Sequence, residues 1–169
     1  MGLVYLYTGK GPGKTTNALG LVLRTVAHDR KAVLIQFLKG RKNIGSYKIK
    51  DKLGPNYEIH QFGKREFVNP KKFKKEDYEM ARKGLKTAKE KLFEEVNLLV
   101  LDEVNLAVSG GLLESKDVLN LLEKIPEKTT VVLTGRHAPK ELKKRADFVN
   151  EINVLKYPED MPLEKGIQY

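Results

Sequence analysis

A glycine-rich stretch near the start of the chain has the residue types that bind phosphate groups: Thr8-Gly9-Lys10-Gly11-Pro12-Gly13-Lys14-Thr15-Thr16. Glycines lack Cβ atoms, so backbone N–H groups can converge on an anion, and a helix that starts there adds its dipole. In such a loop the lysine, here Lys14, lies along the outer phosphates, and the hydroxyl that follows, here Thr15, binds Mg²⁺. The stretch from Thr8 to Thr16 is therefore predicted to contact a nucleotide.

The spacing of this stretch departs from the usual Gly-x-x-x-x-Gly-Lys-Ser/Thr motif. Thr8 stands where the first glycine is expected, Gly9 comes one residue later, and Pro12 stiffens the loop. The alternative is a glycine-rich turn that binds nothing. Three glycines before Lys-Thr-Thr, between an apolar run and a helix-compatible segment, favour phosphate binding. Arg24, about two helical turns further on, is another candidate nucleotide contact; solvent exposure is its alternative.

Two carboxylates, Asp102 and Glu103, end an apolar run over residues 98–101. The run predicts a buried parallel strand, and ligands of open α/β sheets bind at the carboxyl ends of strands. One acid of such a pair helps Thr15 to hold Mg²⁺, directly or through water. We predict that Glu103 is the closer acid and Asp102 the more distant one; the reverse order is an alternative, as is a strand that merely ends in charged residues.

Short apolar runs and helical periodicities predict the elements that position these groups. Strands are expected over residues 3–7, 32–37, 57–62, 98–101, 129–133 and 148–155, and helices over 18–27, 74–94, 115–124 and 139–145. Residues 41–56 and 63–72 are expected to be irregular. This alternation predicts one α/β domain over residues 1–169, with a mostly parallel sheet and helices on both faces. Right-handed crossovers then bring the glycine loop, the acid pair and Arg136, a further nucleotide contact, to one edge.

Composition narrows the class of protein. The chain has no cysteine, which excludes disulfides and thiolate metal sites. Neither a signal peptide nor an apolar stretch long enough to cross a bilayer is visible, so a soluble cytoplasmic protein without membrane partners is expected. The formal net charge is +10, and residues 71–75 form the most basic run. Because aromatic residues do not alternate with the basic ones, a solvated lysine-rich surface is favoured over nucleic-acid binding.

Five stretches, in order along the whole chain, carry a resemblance to a known family. They are Thr8–Thr16, Gln36-Phe37-Leu38-Lys39-Gly40, Val100-Leu101-Asp102-Glu103-Val104-Asn105, Thr134-Gly135-Arg136-His137-Ala138-Pro139-Lys140-Glu141-Leu142, and Gly166-Ile167-Gln168-Tyr169. They resemble the ATP:cob(I)alamin (corrinoid) adenosyltransferases of the P-loop type. The shortened glycine motif with Thr8 in front, unusual for an ATPase, is that family's usual form.

The resemblance implies a RecA-like P-loop NTPase fold and a homodimer. It also implies transfer of the 5′-deoxyadenosyl group of MgATP to the reduced cobalt of a corrinoid, with triphosphate as the leaving group and a separate reducing system for the cobalt. Lys14 and Glu103 would be the catalytic residues, because they and Thr15 would stabilise charge on the triphosphate through direct contact and Mg²⁺.

Phe67 is the candidate side chain against the corrinoid, since the chain has no tryptophan; its alternative is packing against the long helix. Two other functions stay open at this point. One is an ATPase or small-molecule kinase on the same fold, and the other is a basic nucleotide-dependent regulator.

Overall fold

Six parallel strands form one sheet in the computed structural model, which describes residues 2–66, 72–160 and 164–167. The strands are β1 (Val4–Thr8), β2 (Ala32–Phe37), β3 (Tyr57–Phe62), β4 (Leu98–Asp102), β5 (Thr130–Thr134) and β6 (Phe148–Glu151). Their order across the sheet is β3-β2-β4-β5-β1-β6. The predicted parallel sheet is confirmed, although its last strand ends at Glu151 and not at residue 155.

Seven α-helices connect the strands in the described ranges. They are α1 (Lys14–Val26), α2 (Gly45–Lys48), α3 (Lys50–Leu53), α4 (Lys75–Lys91), α5 (Val104–Ser109), α6 (Ser115–Leu122) and α7 (Lys140–Arg145), with a 3-10 turn at Gly54–Asn56. Two predictions are corrected here: residues 41–56 contain α2 and α3, and α5 was not expected. None of the helices in the described ranges is long and apolar enough to cross a membrane.

The larger core lies between one face of the sheet and helices α4 to α7. Alternate strand residues such as Leu6, Ile35 and Leu101 point into it and are fully buried. The predicted apolar stripe of α4 packs here, since Ala81, Leu85 and Ala88 belong to this core. Apolar residues at every second position of the strands therefore pack against apolar residues at every third or fourth position of α4, on the same face of the sheet.

The opposite face is covered mainly by α1, so that helices lie on both faces, as predicted. Ala18 and Val22 of α1 pack on a smaller core that includes Val100 and Val132. This helix does not cover β6, where the ring of Phe148 stacks on that of Tyr5 at 4.4 Å between centroids and remains 45% exposed. An apolar strip along β1 and β6 is therefore left open.

Candidate functional site

The glycine loop connects β1 to α1, as predicted. Gly9 and Gly13 have φ angles of 97° and 106°, in the left-handed region that side chains disfavour. Gly13 is the N-cap residue of α1, and apart from its chain neighbours no atom of the described residues lies within 4 Å of where its Cβ would be. The 13-residue helix α1 thus begins at an uncrowded turn, and the first N–H groups of such a helix can bind a phosphate group.

The chain segment after β6 packs against this loop and hydrogen-bonds to it. Gly11 N–H donates to the carbonyl of Ile152 at 2.8 Å, and Ile152 N–H donates to the carbonyl of Thr8 at 2.9 Å. A Cβ on Gly9 would lie 2.4 Å from the carbonyl oxygen of Ile152. The absence of side chains at the first two glycines is therefore required by packing, while Gly13 is needed for the turn.

Lys14 folds back onto its own loop. Its Nζ donates to the carbonyl oxygens of Gly9 at 2.9 Å and Gly11 at 2.6 Å. Burial lowers its pKa, with Arg136 and Lys39 acting in the same direction and Glu103 opposing them. The ammonium is thus held in the curve of the loop, where an outer phosphate of a bound nucleotide would meet it.

Asp102 is the most fully bonded side chain of the site. It is completely buried, and its Oδ1 accepts from the hydroxyls of Thr15 at 2.8 Å and Thr134 at 2.6 Å. Its Oδ2 accepts from Gln36 Nε2 at 2.9 Å and Lys39 Nζ at 2.7 Å. Burial opposes ionisation, but these partners outweigh it and lower the pKa of Asp102. An ionised carboxylate therefore fixes four neighbouring side chains.

Glu103, the next residue, has the opposite character. Its φ of 63° is unusual for a residue other than glycine, and its N–H donates to Thr134 Oγ1 at 3.0 Å. Its Oε2 is buried and has no hydrogen-bond partner among the described residues, and Lys39 Nζ is 3.7 Å from Oε1. Burial raises the pKa of Glu103 despite the nearby Lys39. A strained backbone thus holds an acid with an unused oxygen at the site.

The loop and the acids open on a cavity of about 530 Å³ at the carboxyl edge of the sheet. Its polar side includes Thr15, Thr16 and Glu103, and its apolar side includes Leu19, Leu38, Ile44, Leu106 and Ile167. Cavities of this size hold small ligands and cofactors. The arrangement can place a charged group at one end of a ligand against the loop and an apolar surface against the other wall.

The donor set around Thr15 fits Mg²⁺ that arrives with a nucleotide. Mg²⁺ prefers oxygen ligands and commonly takes one or two carboxylates together with phosphate oxygens and water. The Thr15 hydroxyl, the unpartnered Oε2 of Glu103 and the Asp102 carboxylate supply such oxygens. In the described part of the chain no three His, Cys, Asp or Glu residues gather closely enough to hold a metal on their own.

The structure brings most of the predicted site residues together. Thr15, Thr16 and Glu103 line the cavity, and Lys14 and Asp102 lie directly behind it. Thr8 is buried and accepts from Ala138 N–H at 3.3 Å, which ties the loop to the segment after β5. Lys10 and Pro12 are exposed members of the loop.

Three predicted residues have different outcomes. Arg136 is exposed, and its charge acts on both Lys14 and Glu103. Arg24 lies exposed in the last turn of α1, about 15 Å along the helix axis from Lys14, and does not line the cavity. Phe67 lies outside the described residues, and its contact with a ligand stays a prediction.

Sequence reasoning assigned no role to Gln36, Lys39 or Thr134, although all three contact Asp102. A positional signal was available, because each of them stands at or just beyond the carboxyl end of a predicted strand. Such ends meet at one edge of a parallel sheet. Polar residues at those positions are therefore candidates even without a motif of their own.

The comparisons with known proteins agree with this geometry. Residues 1–169 match the family described as ATP:corrinoid adenosyltransferase BtuR/CobO/CobP. A corrinoid adenosyltransferase of Sinorhizobium sp is 33% identical over 173 residues, covering 99% of this chain and 80% of the relative. One of Escherichia coli strain K12 is 29% identical over 171 residues, covering 99% of this chain and 86% of the relative.

Among solved structures, the crystal structure of the flagellar accessory protein FlaH from Methanocaldococcus jannaschii superimposes with a TM-score of 0.57. It covers 94% of this chain and 74% of the other, at 14% identity, and so bears on the fold alone. The predicted P-loop, RecA-like class of α/β fold is confirmed.

Proposed function

The chain belongs to the ATP:corrinoid adenosyltransferase family, and from that premise we propose how its side chains carry out the transfer. The reaction joins the 5′-deoxyadenosyl group of ATP to the reduced cobalt of a corrinoid, and triphosphate leaves. Because the attack falls on the C5′ carbon, the protein need not supply a nucleophile or activate a water. Its tasks are to place the two substrates against each other and to stabilise charge on the triphosphate.

The charge-stabilising groups are those of the glycine loop and its surroundings. Lys14 and the N–H groups at the start of α1 contact the triphosphate as its negative charge grows, and the exposed Arg136 adds a positive field. Thr15 and Glu103 would hold Mg²⁺, with Asp102 behind them. When bound, this ion supplies electrostatic neutralisation of the phosphate oxygens. Asp102 orients Thr15 through the 2.8 Å hydrogen bond.

One observation carries this assignment: the cavity joins phosphate-type donors to an apolar wall. Thr15 and Glu103 stand beside Leu19, Leu38 and Leu106 within a single space of about 530 Å³. A site that only hydrolyses ATP also needs an apolar surface for the adenosine, but none for a second large ligand. The apolar half suits the adenosine and the edge of a macrocycle that must approach its C5′ atom while water is excluded.

The corrinoid side of the site is proposed to include Phe67. Lys64, Arg65 and Glu66, which immediately precede it, line the cavity, so the described part of that loop borders the space proposed for the ligands. An aromatic ring there would exclude water from the cobalt face opposite ATP. Arg24, given its position at the far end of α1, contributes to nucleotide binding only through long-range charge.

We further propose a homodimer and a cytoplasmic location in which a separate reducing system supplies the reduced cobalt. Support for the dimer comes from the open strip along β1 and β6. Leu3 and Phe148 are each 45% exposed there, and Phe148 stacks on Tyr5. A second copy that covers this strip would remove both the apolar surface and the free edge of β6 from water.

The test is the anaerobic reaction of cob(I)alamin with MgATP, followed by its ultraviolet–visible spectrum and by analysis of the phosphate products. Conversion to the adenosylated corrinoid with one triphosphate released per turnover is expected. Release of ADP and phosphate, without a change in the corrinoid spectrum, would instead identify an ATPase or kinase. A Lys86→Ala variant, changed on the solvent side of α4, should react like the wild type.

A further inference from the structure

The ammonium group of Lys39 lies among the three side chains assigned above to Mg²⁺. Its Nζ is 2.7 Å from Asp102 Oδ2, 3.2 Å from Thr15 Oγ1 and 3.7 Å from Glu103 Oε1. No other lysine makes an ion pair with either acid in the described residues. A positive charge contributed by the chain itself therefore already faces the oxygens that a divalent cation would need.

We propose that Lys39 is an internal counter-ion that Mg²⁺–nucleotide must displace from these oxygens. The inference rests on the proposed function, since it concerns the same metal position. Mg²⁺ requires its oxygen ligands at about 2.0–2.1 Å in a near-octahedral arrangement. The Lys39 ammonium hydrogen-bonds to the same oxygens and so blocks part of that arrangement. If Mg²⁺ bound beside it, the two positive charges would repel each other strongly in this partly buried site.

The backbone fixes where the Lys39 side chain begins. Leu38 has a φ of 59°, and its N–H donates to the carbonyl of Phe62 at 3.0 Å. A Cβ on Gly63 would lie 2.2 Å from the backbone nitrogen of Lys39, so the two loops pack backbone to backbone. Displacement of the ammonium must therefore occur by rotation of the flexible four-carbon side chain, without movement of the strand end.

The cavity leaves room for the Lys39 side chain to rotate. Lys39 lines the cavity and is 29% exposed, so its ammonium can turn from the acids towards the phosphates of a nucleotide in the same space. The exchange keeps the charges balanced. The divalent ion pairs with the carboxylates of Asp102 and Glu103, and the released ammonium pairs with the phosphates of the nucleotide. A free divalent ion brings no phosphate to receive the ammonium, and so it binds poorly.

This inference is tested by metal binding in the absence of nucleotide and corrinoid. Mn²⁺ is titrated into the whole protein and its free fraction is read by electron paramagnetic resonance. Lys39→Met, which removes the charge but keeps the length of the side chain, should bind Mn²⁺ about tenfold more tightly than the wild type, or better. Lys86→Met is the matched control, because Lys86 is also a lysine paired with a carboxylate, 3.8 Å from Glu90, but lies on α4.

A double variant locates the metal. In Lys39→Met/Glu103→Gln the gain in Mn²⁺ affinity should disappear. A gain that survives this change, or a Lys39→Met variant that binds Mn²⁺ no better than the wild type, overturns the proposal. Since neither substrate is present, these outcomes are independent of whether the wild type transfers the adenosyl group.

Melting temperature supplies a second readout that tolerates an unstable variant. Without its counter-ion, the buried acid pair should lower the melting temperature of Lys39→Met, and millimolar Mg²⁺ should restore it, because an ion that binds only the folded state stabilises it. The wild type and Lys86→Met should respond little. A Lys39→Met protein that stays unfolded at saturating Mg²⁺ would contradict the exchange of one cation for the other.

Discussion

Lys14 is the residue on which nucleotide binding depends most directly. In Lys14→Ala the charge-assisted contact with the outer phosphates is lost, so we expect ATP affinity to fall by roughly tenfold to more than a hundredfold. The fold should persist, because the hydrogen bonds of the ammonium to described residues all go to carbonyls of its own loop. Calorimetric titration with MgATP measures the effect, with Lys86→Ala as the control. Equal affinity in both variants would remove Lys14 from the phosphate site.

The two neighbouring acids are expected to respond differently to substitution. Asp102→Asn places an amide against four donors in a fully buried position, so the free energy of unfolding should drop by about 3–5 kcal/mol. Glu103→Gln should change stability less, since among the described residues its Oε2 has no hydrogen-bond partner and its Oε1 has only the 3.7 Å ion pair with Lys39. It should raise the Mg²⁺ concentration needed for activity.

Urea denaturation and a Mg²⁺ titration of adenosyl transfer separate the two effects. A Glu103→Gln enzyme with normal Mg²⁺ dependence would assign the metal to Asp102 instead. Comparison with Glu127→Gln, a change at an exposed acid between α6 and β5, shows how far loss of a carboxylate by itself alters either measurement.

The loops after β2 and β3 are locked together by two glycines. A Cβ on Gly40 would lie 2.3 Å from the carbonyl oxygen of Gly63, and one on Gly63 would strike the backbone of Leu38 and Lys39. Gly63→Ala should therefore destabilise the protein by about 1–3 kcal/mol. It should also weaken nucleotide binding, because the backbone of Lys39 would shift and its ammonium could no longer turn from the acids towards the phosphates.

Gly20→Ala provides the matched control for that prediction. Gly20 is exposed in α1, and a Cβ there would meet nothing within 4 Å. The substitution should stabilise the helix by about 0.5–1 kcal/mol. If the backbone contact at Gly63 is as close as described, the melting temperature should fall in Gly63→Ala and rise in Gly20→Ala. Equal shifts in the two variants would refute that close contact.

Much of this architecture was predictable from short-range patterns, because buried parallel strands are continuous apolar runs and α4 carries one apolar stripe. Helix α5 was not, since Val104–Ser109 is short and follows the acid pair without a capping residue or a periodic pattern. The same limit applies within the site. The glycine loop and the acids have local motifs, whereas the role of Gln36 and Thr134 arises only when β2, β4 and β5 lie side by side.

An ion-pair network at the opposite end of the sheet connects β3 to its neighbours. Glu58 of β3 pairs with Lys31 at 2.8 Å and with Lys91 of α4 at 2.7 Å. Burial opposes ionisation of Glu58, but hydrogen bonds from Lys31, Lys91 and His60 outweigh it and lower its pKa to about 2. A carboxyl with a depressed pKa stabilises the fold above its usual pKa near 4.5, and that contribution is lost as the pH falls towards 2.

Glu58→Gln should therefore lower the free energy of unfolding at pH 7, and its difference from the wild type should shrink as the pH falls from 4.5 towards 2. Chemical denaturation at pH 7 and pH 3 measures this. Glu127→Gln again serves as the control and should track the wild type at both values. A difference that stays constant with pH would mean that Glu58 acts through packing and not through its charge.

The sheet as a whole separates two functional regions. The proposed chemistry lies at the carboxyl edge of β1, β2, β4 and β5, and the open apolar strip runs along β1 and β6. If a second copy covers that side, Phe148→Glu should convert the dimer to a monomer, because a charge would be buried in the contact. Light scattering after size exclusion gives the mass. Phe93→Glu, at an 80% exposed phenylalanine in the α4–β4 connection, should leave the mass unchanged.

The proposed interface would be wrong if Phe148→Glu and Phe93→Glu had the same mass in solution. A dimer that survives Phe148→Glu would have its contact on another surface. A wild type that is monomeric at all concentrations would leave the β1–β6 strip as ordinary exposed surface.

The strand order has a consequence for how the molecule is made. β1 precedes the other five described strands along the chain, yet its partners are β5 and β6: Val4 pairs with Val131, and Tyr5 pairs with Phe148. The backbone of Ile152 then closes over Gly9 and Gly11. The nucleotide loop thus precedes the strands that complete it, and a nascent chain must keep β1 unpaired until β5 and β6 have been synthesised. Affinity for ATP should therefore appear only after β6 has paired with β1 and Ile152 has closed over the loop.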